Sequence, residues 1–207
     1  MTYSVNVYDK EGKVVSKVEL NWEVFADEKV NKNLIQELYL LQMANARNAI
    51  ASTKNRGEVH GSGRKLYRQK GTGNGRAWDK NSPTRRHWWV AFWPSSERNY
   101  VKSMNKKTRK LALNWIITLK AKDEELVGLQ ISDMQPKTKD ALSILNNMGL
   151  SDKKVLLVMK DKNDWIEKSF RNISWVKYIL VDYLNPYDLL NSDKVIFLED
   201  ALMCINA

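Results

Sequence analysis

Very little in this sequence could carry out chemistry. There is one cysteine, Cys204, which cannot close an internal disulfide or build a cysteine-only zinc cage, and which fits a reducing compartment. Its place in a terminal apolar stretch favours a packed thiol. There are two histidines, His60 and His87, and neither stands near a cysteine or paired carboxylates, so no metal site is expected. No apolar run approaches the ~20 residues that a membrane helix needs. Residues Met1 to Lys17 alternate polar and apolar types without an apolar h-region, so no signal peptide is expected either. Phosphate-cradling motifs are missing: Gly71-Thr72-Gly73-Asn74-Gly75 has GxGxG spacing rather than GxGxxG, with no strand before it and no apolar helix after it. The string Ser62-Gly63-Arg64-Lys65 lacks the frame of a P-loop. No set of groups meets the requirements of an active site, so the chain reads as a non-enzyme without a cofactor.

What the chain does have is positive charge, unevenly placed. The net charge is +10. The 64 residues from Arg47 to Lys110 hold 17 Lys and Arg against three acids, Glu58, Asp79 and Glu97, while the remainder is mildly acidic. A solvated helix face would alternate signs; a segment of one sign repels itself and calls for a polyanion. Six of the nine glycines lie between Gly57 and Gly75, and between Lys54 and Arg76 the bulky aliphatics are Val59 and Leu66. Such a stretch buries too little apolar surface to offset an ordering cost of ~1–2 kcal/mol per residue, so it is expected to be mobile on its own. Trp78, Trp88, Trp89 and Trp93 then crowd into sixteen residues beside Phe92. Arginines interleaved with aromatics suit RNA, with guanidinium forks on phosphates and rings on unpaired bases. The other reading of Trp88 to Trp93 is a local apolar cluster where the basic arm returns to the body.

The flanking sequence predicts an α/β fold: a mostly parallel sheet flanked by helices, interrupted by a long, basic, extended arm. Alternating runs Tyr3–Tyr8 and Lys13–Leu20 around Asp9-Lys10-Glu11-Gly12 read as a hairpin. Helical periodicity follows over Asn31–Ile50, with Leu34, Leu38 and Leu41 on one face and Ile35 and Ala44 adjacent, and again over Asn105–Lys122, with Leu111, Trp115 and Leu119 in a stripe and Ala112 and Ile116 alongside. Lys106, Lys107, Arg109 and Lys110 crowd the start of this second helix, where the dipole prefers anions, which makes sense beside phosphate. Four compact apolar runs, Leu126–Ile131, Val155–Met159, Val176–Val181 and Val195–Leu198, suit strands buried on both faces. Helices are expected between them over Pro136–Met148, Asn163–Arg171 and Pro186–Leu190. The expected division is a body of residues 1–50 and 98–207 with an inserted arm of residues 51–97.

The arm also carries a resemblance. Ala44-Asn45-Ala46-Arg47, Ser52-Thr53-Lys54-Asn55-Arg56-Gly57-Glu58-Val59, Gly61-Ser62-Gly63-Arg64-Lys65 and Arg68-Gln69-Lys70-Gly71-Thr72-Gly73 are similar to strings of the large-subunit ribosomal protein four family, in a divergent bacterial form. So are Ser82-Pro83, Asn105-Lys106-Lys107, Arg109-Lys110-Leu111-Ala112-Leu113, Pro136-Lys137-Thr138-Lys139 and Arg171-Asn172. The Arg68 to Gly73 string is the most specific, and the likeness runs from about Asn31 to the end.

The resemblance implies a cytoplasmic, structural constituent of the large ribosomal subunit that binds its RNA and acts early in subunit assembly. It implies an arm tip at the nascent-peptide exit tunnel beside ribosomal protein twenty-two of the large subunit, with no cofactor and no membrane or DNA partner. The expected RNA-binding residues are Arg47, Lys54, Arg56, Arg64, Lys65, Arg68, Gln69, Lys70, Arg76, Lys80, Arg85, Arg86, Lys106, Lys107 and Arg109. The tunnel-proximal tip maps onto Arg68, Lys70, Gly71, Thr72, Gly73 and Asn74, and Tyr67, Trp78, Trp88 and Trp89 are candidates for base stacking. The chain departs from the family at Asn74, where arginine is usual, at Tyr67, where tryptophan is usual, and at His87 to Pro94, where glycines flank a Val-Val-Phe-Gly-Pro string. Three indoles there cannot follow a path that needs glycine, so they are expected to fill space against altered RNA or to pack on the body. A free single-stranded RNA-binding protein or RNA chaperone is the competing reading of the same residues.

Overall fold

The computed structural model describes residues 3–21, 30–86, 89–131, 135–151 and 153–206. The chain divides into two compact units, Met1–Met43 with Ser103–Ala207, and Ala44–Lys102. The first contains the whole sheet. Strands β1 (Ser4–Tyr8) and β2 (Val14–Glu19) form the expected hairpin. Its turn is closed by Asp9 N–H to the Lys13 carbonyl at 2.9 Å and Gly12 N–H to the Asp9 carbonyl at 2.9 Å. Gly12 sits at φ +78, and a Cβ there would lie 2.6 Å from the Asn147 carbonyl oxygen, so both conformation and space demand glycine.

Helices α1 (Lys32–Asn45) and α2 (Lys106–Lys122) come next. They are followed by β3 (Leu126–Leu129), α3 (Thr138–Asn147), β4 (Val155–Met159) and α4 (Asp164–Phe170). The chain then forms β5 (Val176–Leu180), α5 (Pro186–Asn191), β6 (Lys194–Leu198) and α6 (Glu199–Asn206). The six strands lie in the order β2-β1-β3-β6-β4-β5. All neighbouring pairs are parallel except the β1–β2 hairpin. The fold is therefore α/β, with a mostly parallel mixed sheet.

The alternation of side chains along the central strands makes two cores. Leu156 and Val158 of β4 and Val195 and Phe197 of β6 join one cluster with Trp115 and Ile116 of α2, Leu189 of α5, and Ala201 and Leu202 of α6. Val155, Leu157 and Met159 of β4 and Ile196 of β6 join the other with Ala141, Ile144 and Leu145 of α3, and Ile166 and Phe170 of α4. Every residue of β4 is buried, as a central strand covered on both faces must be.

Several expectations need correction. Helix α1 stops at Asn45 rather than Ile50: Ile50 is 81% exposed, so the last turn of the expected helix has no apolar surface to pack. In α2 Trp115, Ala112 and Ile116 are buried as expected, but Leu111 is exposed and Leu119 half-buried. Strand β5 is an edge strand, and only Val176 of it is buried. The chain beyond it tightens into a 3-10 turn, Val181–Tyr183. Pro136 precedes α3 instead of opening it, because Lys137 is extended at φ −125 and ψ 125. Cys204 is exposed, not packed: helix α6, absent from the sequence reading, buries Ala201 and Leu202 and turns Cys204 outward.

Candidate nucleic-acid interface

The second unit, Ala44–Lys102, holds thirteen Lys and Arg against three acids. Beyond the end of α1 its described residues form turns and bends, with no helix or strand. Side chains and glycines shape it instead. At its base the Asn45 amide donates to the Lys102 carbonyl at 3.1 Å and accepts from the Lys102 N–H at 2.8 Å. Two guanidinium groups face the ring of Tyr100, Arg47 at 4.3 Å and Arg98 at 5.1 Å from its centroid. Arg98, Tyr100 and Asn45 escaped the list of expected functional residues; Asn45 was visible only as part of the Ala44 to Arg47 string.

Further along, Leu66 N–H donates to the Trp78 carbonyl at 2.8 Å and brings the outgoing and returning chain together. The Tyr67 hydroxyl donates to the Gly75 carbonyl and accepts from Arg85 Nη2, the latter at 2.9 Å. Lys65 donates to Gln69 Oε1, and its ammonium stands 5.2 Å from the centre of the Trp78 ring. Between these ties lies the expected tip. Arg68 Nη2 donates to the Gly71 carbonyl at 2.7 Å. Gly71 stands at φ +77 and Gly73 at φ +71. Lys70 and Asn74 are exposed and Thr72 is half-buried.

The electrostatics follow from where the acids point. Glu58 accepts from the Asn55 N–H at 2.7 Å, and Asp79 accepts from the Asn81 N–H at 3.0 Å. Among the described residues, neither Arg56 nor Arg76 has a carboxylate partner. Arg47, Lys54, Arg56, Arg64, Arg68, Gln69, Lys70, Arg76, Lys80 and Arg85 are exposed, and Lys65 and Arg86 half-buried. So many cations against three acids, most of them on a surface open to solvent, suit a polyanion.

Two hollows gather the expected groups. Arg56, Arg76, Trp78 and Arg85 line one of about 560 Å³, together with Asp79, Ser82 and Thr84. Lys54, Val59, Trp89, Phe92, Trp93 and Pro94 line another, of about 350 Å³. Trp89 and Trp93 are half-buried there, while Phe92, at φ +57, is fully exposed. Trp88 and His87 lie outside the described residues. In the first unit Lys106, Lys107 and Arg109 are exposed at the start of α2, whose N-cap, Asn105, makes no side-chain cap bond and whose first turn holds no acid.

Nothing in the described residues gathers three or more metal-ligating side chains, and none of their helices is long and apolar enough to cross a membrane. Compared with known proteins, residues 18–207 match the ribosomal protein L4/L1 family. Large ribosomal subunit protein uL4 of Halothermothrix orenii is 41% identical over 196 residues, covering 94% of this chain and 93% of that one. The uL4 protein of Alkaliphilus metalliredigens is 42% identical over 199 residues, 96% of this chain and 95% of its own. That of Mycoplasma capricolum is 35% identical over 202 residues, 97% of each.

Proposed function

The chain belongs to the ribosomal protein L4/L1 family, and on that premise we propose how it works. It is a structural, non-enzymatic, RNA-binding protein of the large ribosomal subunit and serves translation. Its Ala44–Lys102 unit is the part that grips ribosomal RNA, and it does so as an arm threaded between RNA helices. Arg47, Lys54, Arg56, Arg64, Lys65, Arg68, Lys70, Arg76, Lys80, Arg85 and Arg86 neutralise phosphates, and Gln69 adds a neutral hydrogen-bonding group. Lys106, Lys107 and Arg109, at the start of α2 in the other unit, are a further set of phosphate-binding cations. Residues Arg68 to Asn74 lie at the wall of the nascent-peptide tunnel, beside ribosomal protein twenty-two of the large subunit. RNA folding around the arm orders both, which ties binding to early subunit assembly.

The observation that carries this reading is the excess of thirteen Lys and Arg over three acids in this unit, with Arg56 and Arg76 exposed and in no salt bridge among the described residues. Charge left uncompensated in the free protein is compensated by phosphate, with release of counterions.

The test is sedimentation of tagged full-length protein in lysate, with the ribosomal subunits then washed in high salt. Retention on the large subunit is the expected result and means a threaded, integral arm. Release into the light fractions would mean peripheral electrostatic binding and would favour a free single-stranded RNA-binding protein or chaperone.

A further inference from the structure

We propose that the hollow lined by Arg56, Arg76, Trp78 and Arg85 is a pocket for one unpaired nucleotide of RNA, its base stacked on the Trp78 indole and its flanking phosphates held by the three guanidiniums. The inference rests on the proposal that the Ala44–Lys102 unit binds RNA, and it narrows that proposal to a base-accepting site.

Four observations support it. The hollow has a volume of about 560 Å³, within the roughly 300–1,000 Å³ that small-ligand pockets occupy. Trp78 lines it and is 71% exposed, so a large apolar ring is offered to solvent where no core needs it. Its backbone is tied in place, since its carbonyl accepts from the Leu66 N–H at 2.8 Å, and the Lys65 ammonium stands 5.2 Å from its ring centre. The arginines are poised in different ways. Arg85 is oriented by its bond to the Tyr67 hydroxyl, whereas Arg56 and Arg76 have no carboxylate partner among the described residues. The one acid on the lining, Asp79, directs an oxygen to the Asn81 N–H. An exposed indole with three guanidiniums around it matches the chemistry of a nucleotide: a flat π-face for the base and planar forks for phosphate oxygens. A paired base has its faces covered by its neighbours, so the site selects single-stranded RNA or a bulge.

The experiment uses the full-length chain and two fluorescein-labelled RNAs of equal length, a single-stranded adenosine-rich oligonucleotide and a perfect duplex, with binding followed by anisotropy at fixed salt. Trp78→Ala is expected to weaken single-strand binding by roughly 5- to 100-fold and to leave duplex binding unchanged. Trp78→Phe, which keeps a ring, is expected to retain most of the affinity. Ultraviolet cross-linking of the unaltered protein to the single strand, mapped by mass spectrometry, is expected to place a nucleotide on Trp78. This arm decides the matter even where Trp78→Ala perturbs folding. Equal single-strand affinity for all three proteins, or an equal loss with both variants, overturns the pocket and leaves RNA binding by the unit intact, as does a cross-link confined to other residues. Failure of the unaltered protein to bind either RNA overturns the broader reading and the pocket with it.

Discussion

The side-chain amide of Asn45 pairs with both backbone groups of Lys102, 57 residues away in sequence, donating to its carbonyl and accepting from its N–H. One side chain thus does the work of a two-bond backbone ladder where the chain enters and leaves the Ala44–Lys102 unit. An amide suits both bonds, whereas a carboxylate would set an oxygen against the Lys102 carbonyl. Both residues are exposed, so each bond adds at most about 1 kcal/mol. Asn45→Ala is therefore expected to speed hydrogen exchange at the Lys102 amide by about five- to tenfold, with no change at the buried amides of β4. Unchanged protection of Lys102 would show that other contacts hold the base.

The tip makes a second prediction. Gly71 stands at φ +77, and a Cβ there would lie 3.3 Å from Arg68 Nη2, the nitrogen that donates to the Gly71 carbonyl. Gly71→Ala adds a left-handed strain of roughly 1–2 kcal/mol and crowds the guanidinium that braces the loop. Gly63→Ala is the control, because Gly63 has no positive φ and a Cβ would meet nothing within 4 Å. The expected outcome is reduced incorporation into large subunits for Gly71→Ala and normal incorporation for Gly63→Ala, read by quantitative mass spectrometry of purified subunits. For the neighbouring cation, Lys70→Gln is expected to flatten the salt dependence of RNA affinity by ~0.7–0.9 in log–log slope. A slope equal to that of the unaltered protein would mean that Lys70 touches no phosphate.

How far the sequence carried these conclusions depended on the kind of signal. The central strands were readable because Val155–Met159 and Val195–Leu198 are continuous apolar runs whose burial is dictated from both faces. The edges were harder: β5, with Val176, Ile179 and Leu180, is nearly as apolar as the central strand β6, and nothing local says that no strand covers its outer side. Helix α6 was missed because Glu199–Asn206 is short, and its two buried residues, Ala201 and Leu202, give too brief a periodicity to read. In the basic unit, charge and glycine identified the stretch, but the pairing of Arg85 with Tyr67, of Lys65 with Trp78, and of Asn45 with Lys102 joins residues 13 to 57 apart. Such contacts belong to a loop's tertiary path, on which no periodic pattern bears.

In the body, Asp188 provides a stability test. This carboxylate, only 6% exposed, accepts from Asn185 Nδ2 at 2.7 Å and from Lys177 Nζ, while its own N–H is capped by Asn185 Oδ1 at 2.9 Å. The group therefore ties the start of α5 to edge strand β5. Asp188→Ala removes the close acceptor of the half-buried Asn185 amide, leaving it only the longer bond to the Tyr183 carbonyl at 3.4 Å, and removes the partner of Lys177, at a cost of about 1 kcal/mol. At ~2–4 °C per kcal/mol for a chain of this size, the loss should be plain in thermal unfolding. Asp188→Asn keeps an acceptor oxygen and should lose less. Equal melting temperatures for the Ala variant and the unaltered protein would mean that water replaces the carboxylate freely.

Tyr178 and Glu167 give the last prediction, one with a sign in pH. The Tyr178 hydroxyl donates to Glu167 Oε1 at 2.8 Å, linking β5 to α4. That hydrogen bond, aided by burial and by the negative charge of Glu167, raises the tyrosine pKa above its ordinary value. A group whose folded pKa is raised adds stability while it is protonated in both states. The contribution is therefore complete below the unfolded tyrosine pKa of about 10 and is lost as pH climbs through the raised folded value. Tyr178→Phe removes the hydroxyl and keeps the ring. The variant should melt lower than the unaltered protein by a constant margin between pH 7 and about pH 9, and the margin should narrow beyond that as the phenol ionises and faces the Glu167 carboxylate. Thermal melts across this range check it. A margin that persists undiminished through strongly alkaline pH would mean that the stabilisation lies in ring packing rather than in the hydroxyl.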